Sequence, residues 1–154
     1  MPQKSSNEVT KTEASALNKF RKDFIRISRP EIEAILPTKL STLSSEKLSD
    51  TMTLYTAWRE FTDDKLIDAL SDYMLSQEKY DYESNIAMLS VNARTIREKE
   101  SLVAVKPGIV SLYRKLCEHK LYYDLLQAKL ESYNNCLTVI SREISRRGNY
   151  NGRI

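Results

Sequence analysis

Glycine, proline, histidine and cysteine are all scarce in this 154-residue chain, which holds three Gly, four Pro, one His and two Cys. No Gly or Pro occurs from Thr38 to Lys106 or from Ile109 to Arg147, so nothing there breaks a long helix. A single histidine excludes the usual His-rich metal and acid–base clusters. Glycine-rich phosphate loops, Walker sequences and nucleophile elbows are missing as well. No apolar run approaches the length of a bilayer span, which argues against a membrane protein. Met1 to Lys11 is polar, with neither a secretory apolar core nor an Arg-rich amphipathic pattern, and a cytoplasmic location is expected. Cys117 and Cys136 stand on one predicted helix roughly 28 Å apart, too far to bridge within it, and are read as reduced thiols.

What the chain has is a seam. Leu112, Leu116, His119, Tyr123, Leu126, Leu130, Tyr133, Leu137, Ile140, Ile144 and Arg147 follow one another at alternating spacings of four and three. That is a heptad stripe, apolar except for His119 and Arg147. A lone helix of period 3.6 drifts off such a stripe within a few heptads, so the pattern demands a second long helix against it. The partner helix could be an earlier segment of the chain, another copy, or a different protein.

Charge is distributed unevenly around a net of +3. Residues 1–29 carry seven basic and three acidic side chains, residues 46–101 seven and twelve, and residues 106–154 nine and four. Acidic and basic helices lying side by side would neutralise one another; a basic end left free would suit polyanions.

Punctuation divides the chain into 1–45, an N-terminal accessory helix and Ser/Thr-rich linker; 46–148, a long helical hairpin; and 149–154, a flexible tail. Thr10 and Glu13 have capping-box spacing ahead of the stripe Ala14, Leu17, Phe20, Phe24 and Ile27, and Arg29-Pro30 should end that helix. Pro30 to Leu36 suggests one further turn. Ser44 or Ser45 can cap a middle helix whose stripe runs through Leu48, Met52, Tyr55, Trp58, Leu66, Leu70, Tyr73, Tyr80, Ala87 and Val91. Pro107 suits the first position of the last helix, with Val103 and Val105 in the turn before it, and Gly148 suits its C-terminal stop.

Catalysis finds little footing. His119 sits on the seam, where a polar residue fixes helix register or oligomer state. Cys117 and His119 point about 200° apart at 100° per residue, which disfavours a shared metal. The pairs Asp63 with Asp64 and Asp68 with Asp72 read as a solvated helix face. An enzyme would need an ordered pocket around His119 or that acidic face. The expectation is a protein without catalytic residues, metal or cofactor. Polyanion binding is better supported, because Arg94, Arg97, Lys99, Lys106, Arg114 and Lys115 cluster about the turn between the long helices, with Lys120 nearby. Tyr113 and Tyr122 could stack on unpaired bases. A second basic set is Arg142, Arg146, Arg147 and Arg153, with Tyr150 among them.

Leu54-Tyr55-Thr56-Ala57-Trp58, Asn92-Ala93-Arg94, Glu100 to Lys106, Tyr122-Tyr123-Asp124-Leu125-Leu126 and Ser145-Arg146-Arg147-Gly148 together resemble the phage recombination mediators of the UvsY type, over about residues 50–148. The resemblance implies single-stranded DNA binding, ring-like homo-oligomers, and loading of a strand-exchange recombinase onto DNA covered by single-strand-binding protein, in a host cytoplasm. Where that family has Lys-Ala-Arg this chain has Asn92-Ala93-Arg94, so only Arg94 carries the role over. The expectation is an all-α, oligomeric, antiparallel helical hairpin acting in DNA recombination and repair. The alternative is a coiled-coil adaptor or phage assembly protein whose seam takes a partner helix.

Overall fold

A computed structural model describes residues 16, 18–24 and 26–151, with the backbone alone for 149–151. The described residues are all-helical or irregular, without strand. Three α-helices follow in order: α1 over Ser45–Leu89, α2 over Ile96–Ala104 and α3 over Pro107–Asn151. A 3-10 turn at Leu40–Thr42 precedes them, and residues 18–23 are helical.

The sequence accounts for most of these limits. Ser44 Oγ accepts from the Lys47 N–H at 3.2 Å and so caps α1. Pro107 opens α3, where its missing N–H has no intrahelical partner to lose, and the Lys106 carbonyl accepts the first helical bond from Val110 N–H at 2.9 Å. Thr95 Oγ1 accepts from Glu98 N–H at 3.2 Å, and Glu98 Oε2 reaches back to the Arg94 N–H at 3.1 Å, a capping-box arrangement that starts α2.

Several expected boundaries are corrected. The middle helix stops at Leu89, where Ser90 folds its Oγ onto the Ala87 carbonyl at 2.7 Å, so Val91 lies outside it. Val103 is not in a turn but buried on α2. Gly148 does not stop α3, which runs on through it to Asn151, and among the described residues no glycine takes the positive φ of a left-handed cap. Residues 30–36 form no further turn, and the first helix ends before Phe24 rather than at Arg29. Thr10, Glu13, Ala14 and Leu17 lie outside the described residues.

The chain falls into two compact units, and α1 and α3 contribute to both. Unit I holds residues 67–124 with the described residues up to Phe24; unit II holds 26–66 and 125–151. In unit II, Leu48 and Tyr55 of α1 are buried with Tyr133 and Ile140 of α3. The Tyr55 and Tyr133 rings meet edge to face at 5.9 Å. The segment before the 3-10 turn is held to α1 by side chains that donate to its backbone. Trp58 Nε1 donates to the Ile32 carbonyl at 2.7 Å and Tyr55 Oη to the Ala34 carbonyl at 3.4 Å, while Arg29 lies 5.5 Å over the Trp58 ring. These extended contacts explain why 30–36 is not helical: its carbonyls serve partners on α1.

In unit I the inward residues of α1 are small or aromatic. Ala69 is buried, the rings of Tyr73 and Tyr123 stack at 6.1 Å, and those of Tyr80 and Tyr113 meet at 5.6 Å. Leu70, expected on the inner stripe, faces out at 39% exposure, and Ala69 takes the inward place. On the α3 side Ile109 and Leu116 are buried. Every seam residue of α3 is buried or half-buried except Ile144, so a long helix does pack along the stripe.

Candidate nucleic-acid interface

All six cations of the expected DNA-binding set belong to unit I. Arg94, Arg97 and Lys99, expected near the end of the middle helix, lie beyond it, Arg94 in the loop after α1 and Arg97 and Lys99 on α2; Lys106 stands immediately before α3, with Arg114 and Lys115 in its first turns, as expected. Arg94, Arg97, Arg114 and Lys115 are exposed; Lys99 and Lys106 are half-buried. Among the described residues, none of the six makes an ion pair. Lys106 Nζ instead donates to Ser90 Oγ at 3.1 Å, which ties the start of α3 to the end of α1. Lys120 is different, because Asp124 lies 3.3 Å away at the same helix face.

Tyr113 and Tyr122, on the same helix as Arg114 and Lys115, are each more than half exposed, at 53% and 54%. A hydrogen bond with Cys117, and then its charge, push the Tyr113 phenol above its ordinary value.

The second basic set is largely committed elsewhere. In unit II the Arg147 guanidinium donates to the carbonyls of Leu43 at 2.7 Å, Leu40 at 3.0 Å and Ser41 at 3.2 Å, and to Glu143 Oε1 at 2.8 Å. Arg146 grips both oxygens of the same carboxylate. Hydrogen bonds from Arg146 and Arg147 hold Glu143 down at about 2, so it stays ionised as the bridge between them. Arg142 remains beside the linker residues Leu36 to Ser41. Arg153 and the Tyr150 side chain lie outside the described residues.

His119 occupies the place the heptad predicts, facing α1 within unit I. Its Nδ1 lies 2.6 Å from Ser76 Oγ and 3.0 Å from the Asp72 backbone carbonyl, and Ser76 Oγ itself donates to that carbonyl at 2.8 Å. A carbonyl can only accept, so the tautomer that satisfies both contacts has the ring proton on Nδ1. That tautomer is the wrong one for drawing a proton from Ser76. The pair therefore has the geometry of a positioning bond rather than of a nucleophile with its base. Among the described residues no group of three or more His, Cys, Asp or Glu is placed to hold a metal ion. No helix among them is long and apolar enough to cross a membrane.

Of the expected oligomerisation set, Leu112, Leu116, His119, Tyr123, Leu126, Leu130, Tyr133, Leu137 and Ile140 form the inward stripe of α3 while Ile144 is exposed, and the set's described ring contacts are with α1 of the same chain. Tyr55 shares that packing; burial first, then Cys136 and Tyr133, push its phenol up to about 12, which keeps it a donor to the Ala34 carbonyl. Sequence reading missed the Ser76–His119 bond and the Arg147 clamp. The heptad marks both residues, but neither partner carries a local signal. No protein-family model, curated protein or solved structure matches this chain.

Proposed function

We propose that this chain is a non-enzymatic single-stranded DNA-binding protein that self-associates and acts as a recombination mediator of the UvsY type. The observation that carries the reading is the set of six cations in unit I without a carboxylate partner among the described residues. A cation already paired gains little from a phosphate, whereas unpaired ones leave a positive surface whose condensed partner is a polyanion that releases counterions on binding. Tyr113 and Tyr122 add half-exposed rings, which favours unpaired bases over duplex.

The architecture in this proposal is an antiparallel helical hairpin. It is supported by the order of contacts within unit I, where Tyr73 meets Tyr123, Ser76 meets His119 and Tyr80 meets Tyr113. In unit II the two sides again run in opposite order, rising along α3 from Tyr133 against Tyr55 to Arg147 against Leu43, just ahead of α1. Self-association would exchange these seam contacts between copies or use other faces of α3. A strand-exchange recombinase and single-strand-binding protein are the protein partners in this reading.

Fluorescence anisotropy of a labelled single-stranded oligonucleotide, titrated at several salt concentrations with duplex as competitor, tests it. The expected result is preference for the single strand and a log-log salt slope of about 0.7 per phosphate contacted. Flat anisotropy at micromolar protein would sink the proposal. The second reading, an adaptor that binds a partner protein, draws on Leu89, Ile96 and Val105, exposed at 87%, 71% and 71% within the same unit.

A further inference from the structure

Within unit I a groove of about 250 Å³ is lined by Asp72, Leu75, Ser76 and Lys79 of α1 and by Leu112, Lys115 and His119 of α3. Its volume lies below the roughly 300–1,000 Å³ of sites for drug-sized ligands, so it suits one small group rather than a whole nucleotide. Three of its side chains can carry positive charge, and neither Lys79 nor Lys115 makes an ion pair among the described residues. The lining has one carboxylate, that of Asp72, against the two ammonium groups. Leu75 and Leu112 supply an apolar floor, where ionic hydrogen bonds are less screened than on an open surface.

The imidazole adds direction. Because Nδ1 is held by Ser76 Oγ and the Asp72 carbonyl, the ring cannot turn without breaking both bonds, and Nε2 is the nitrogen left without a hydrogen-bond partner. Where the ring carries a second proton, Nε2 becomes an N–H donor in a groove that Lys79 and Lys115 also line. Three donors of that kind around a small hollow match a tetrahedral oxyanion.

We infer that this groove seats a single phosphate group through Lys79, Lys115 and His119 Nε2. The source of the phosphate rests on the strand-binding reading, which would place one backbone phosphodiester there, while the chemistry of the seat rests on the groove alone. Lys79 and His119 thereby extend the interface beyond the six cations already described.

The chain contains one histidine, so the Cε1–H resonance of His119 is an isolated probe of the groove. The full chain is titrated at constant pH and ionic strength with inorganic phosphate and, separately, with a short single-stranded oligonucleotide, chloride serving as the blank. Both ligands are expected to move the resonance saturably. Lys79→Gln, a change at an exposed position, should abolish the phosphate-induced shift and lower the salt slope of oligonucleotide binding by about 0.7. His119→Asn, which retains a donor near the Nδ1 position, should keep the fold and lose the same contact. If phosphate moves the resonance but no oligonucleotide binds, the seat stands with a small phosphate ligand and the strand-binding reading falls. If the oligonucleotide binds with an unchanged slope in Lys79→Gln and His119 does not respond, the seat is overturned and the strand-binding reading stands. A shift that survives Lys79→Gln would also overturn the seat, and no response to either ligand with no strand binding would remove both.

Discussion

Trp58 shows at the residue scale how one side chain can decide the path of a non-helical segment. Its Nε1 donates to the Ile32 carbonyl, and its ring carries Arg29 on one face and packs near Tyr133, 6.3 Å between centroids. Trp58→Phe keeps a ring but removes the donor to the solvent-exposed Ile32 carbonyl, at an expected cost of about 0.5–1.5 kcal/mol, read as a lower urea midpoint by circular dichroism. An unchanged midpoint would mean that water replaces the indole at no cost. Glu143 provides the pH counterpart. Its carboxyl lies near 2 in the folded chain against an ordinary 4.5, so it favours the folded state fully above about 4.5, and that contribution fades as pH falls toward 2. The melting temperature of Glu143→Gln should therefore lie below that of the parent at pH 7, and the two curves should converge by pH 2. A gap that stays constant over that range would show that Glu143 acts through something other than its charge.

At the scale of elements, the seam of α3 was legible because a heptad repeat leaves only one face for a partner helix, and the described burial follows it residue by residue up to Ile140. The start of α1 at Ser44 and the opening of α3 at Pro107 were legible for the same local reason, a cap and a missing N–H. The break after Leu89 also had its sign in Thr95 and Glu98, whose spacing is that of a capping box, but an absence of Gly and Pro argued louder for an unbroken helix. The inner stripe of α1 was misread at Leu70 because small and polar residues, Ala69 and Ser76, occupy inward positions while Leu70 and Met74 face out. Contacts remote in sequence left no local trace at all, as with Arg147 and the carbonyls of Leu40, Ser41 and Leu43. Gly148 has the residue type of a helix stop but not the conformation. It sits inside α3 with nothing within 4 Å of where a Cβ would stand, so Gly148→Ala should stabilise the end of the helix by about 0.5–1 kcal/mol. Hydrogen exchange of the amides following Gly148 is the measurement, and faster exchange in the variant would contradict the helical placement.

For the whole molecule the decisive quantity is how charge and association combine. A net charge of +3 is too small to hold a polyanion by bulk attraction, so the proposed strand binding would have to come from local sets of cations, multiplied if several copies act on one strand. In the proposed reading each copy offers unit I, whose six cations have no carboxylate partner among the described residues, as a modest site alone. Joined copies convert later contacts into intramolecular ones, which raises avidity by about 10²–10⁴ when the strand can span adjacent sites. The helical seam bears on this step because its side chains are already engaged by α1 of the same chain, so association that borrowed the seam would exchange equivalent contacts between copies at little net cost. Strand affinity and oligomeric state should therefore fall together on dilution. Sedimentation velocity and anisotropy measured on the same samples, across a protein concentration range and with oligonucleotides of increasing length, check this. The expected outcome is a steep gain in affinity with strand length for the associated species only. A monomer that binds short and long strands with equal affinity per site would show that each unit I works alone, and the mediator reading would lose its multivalent basis.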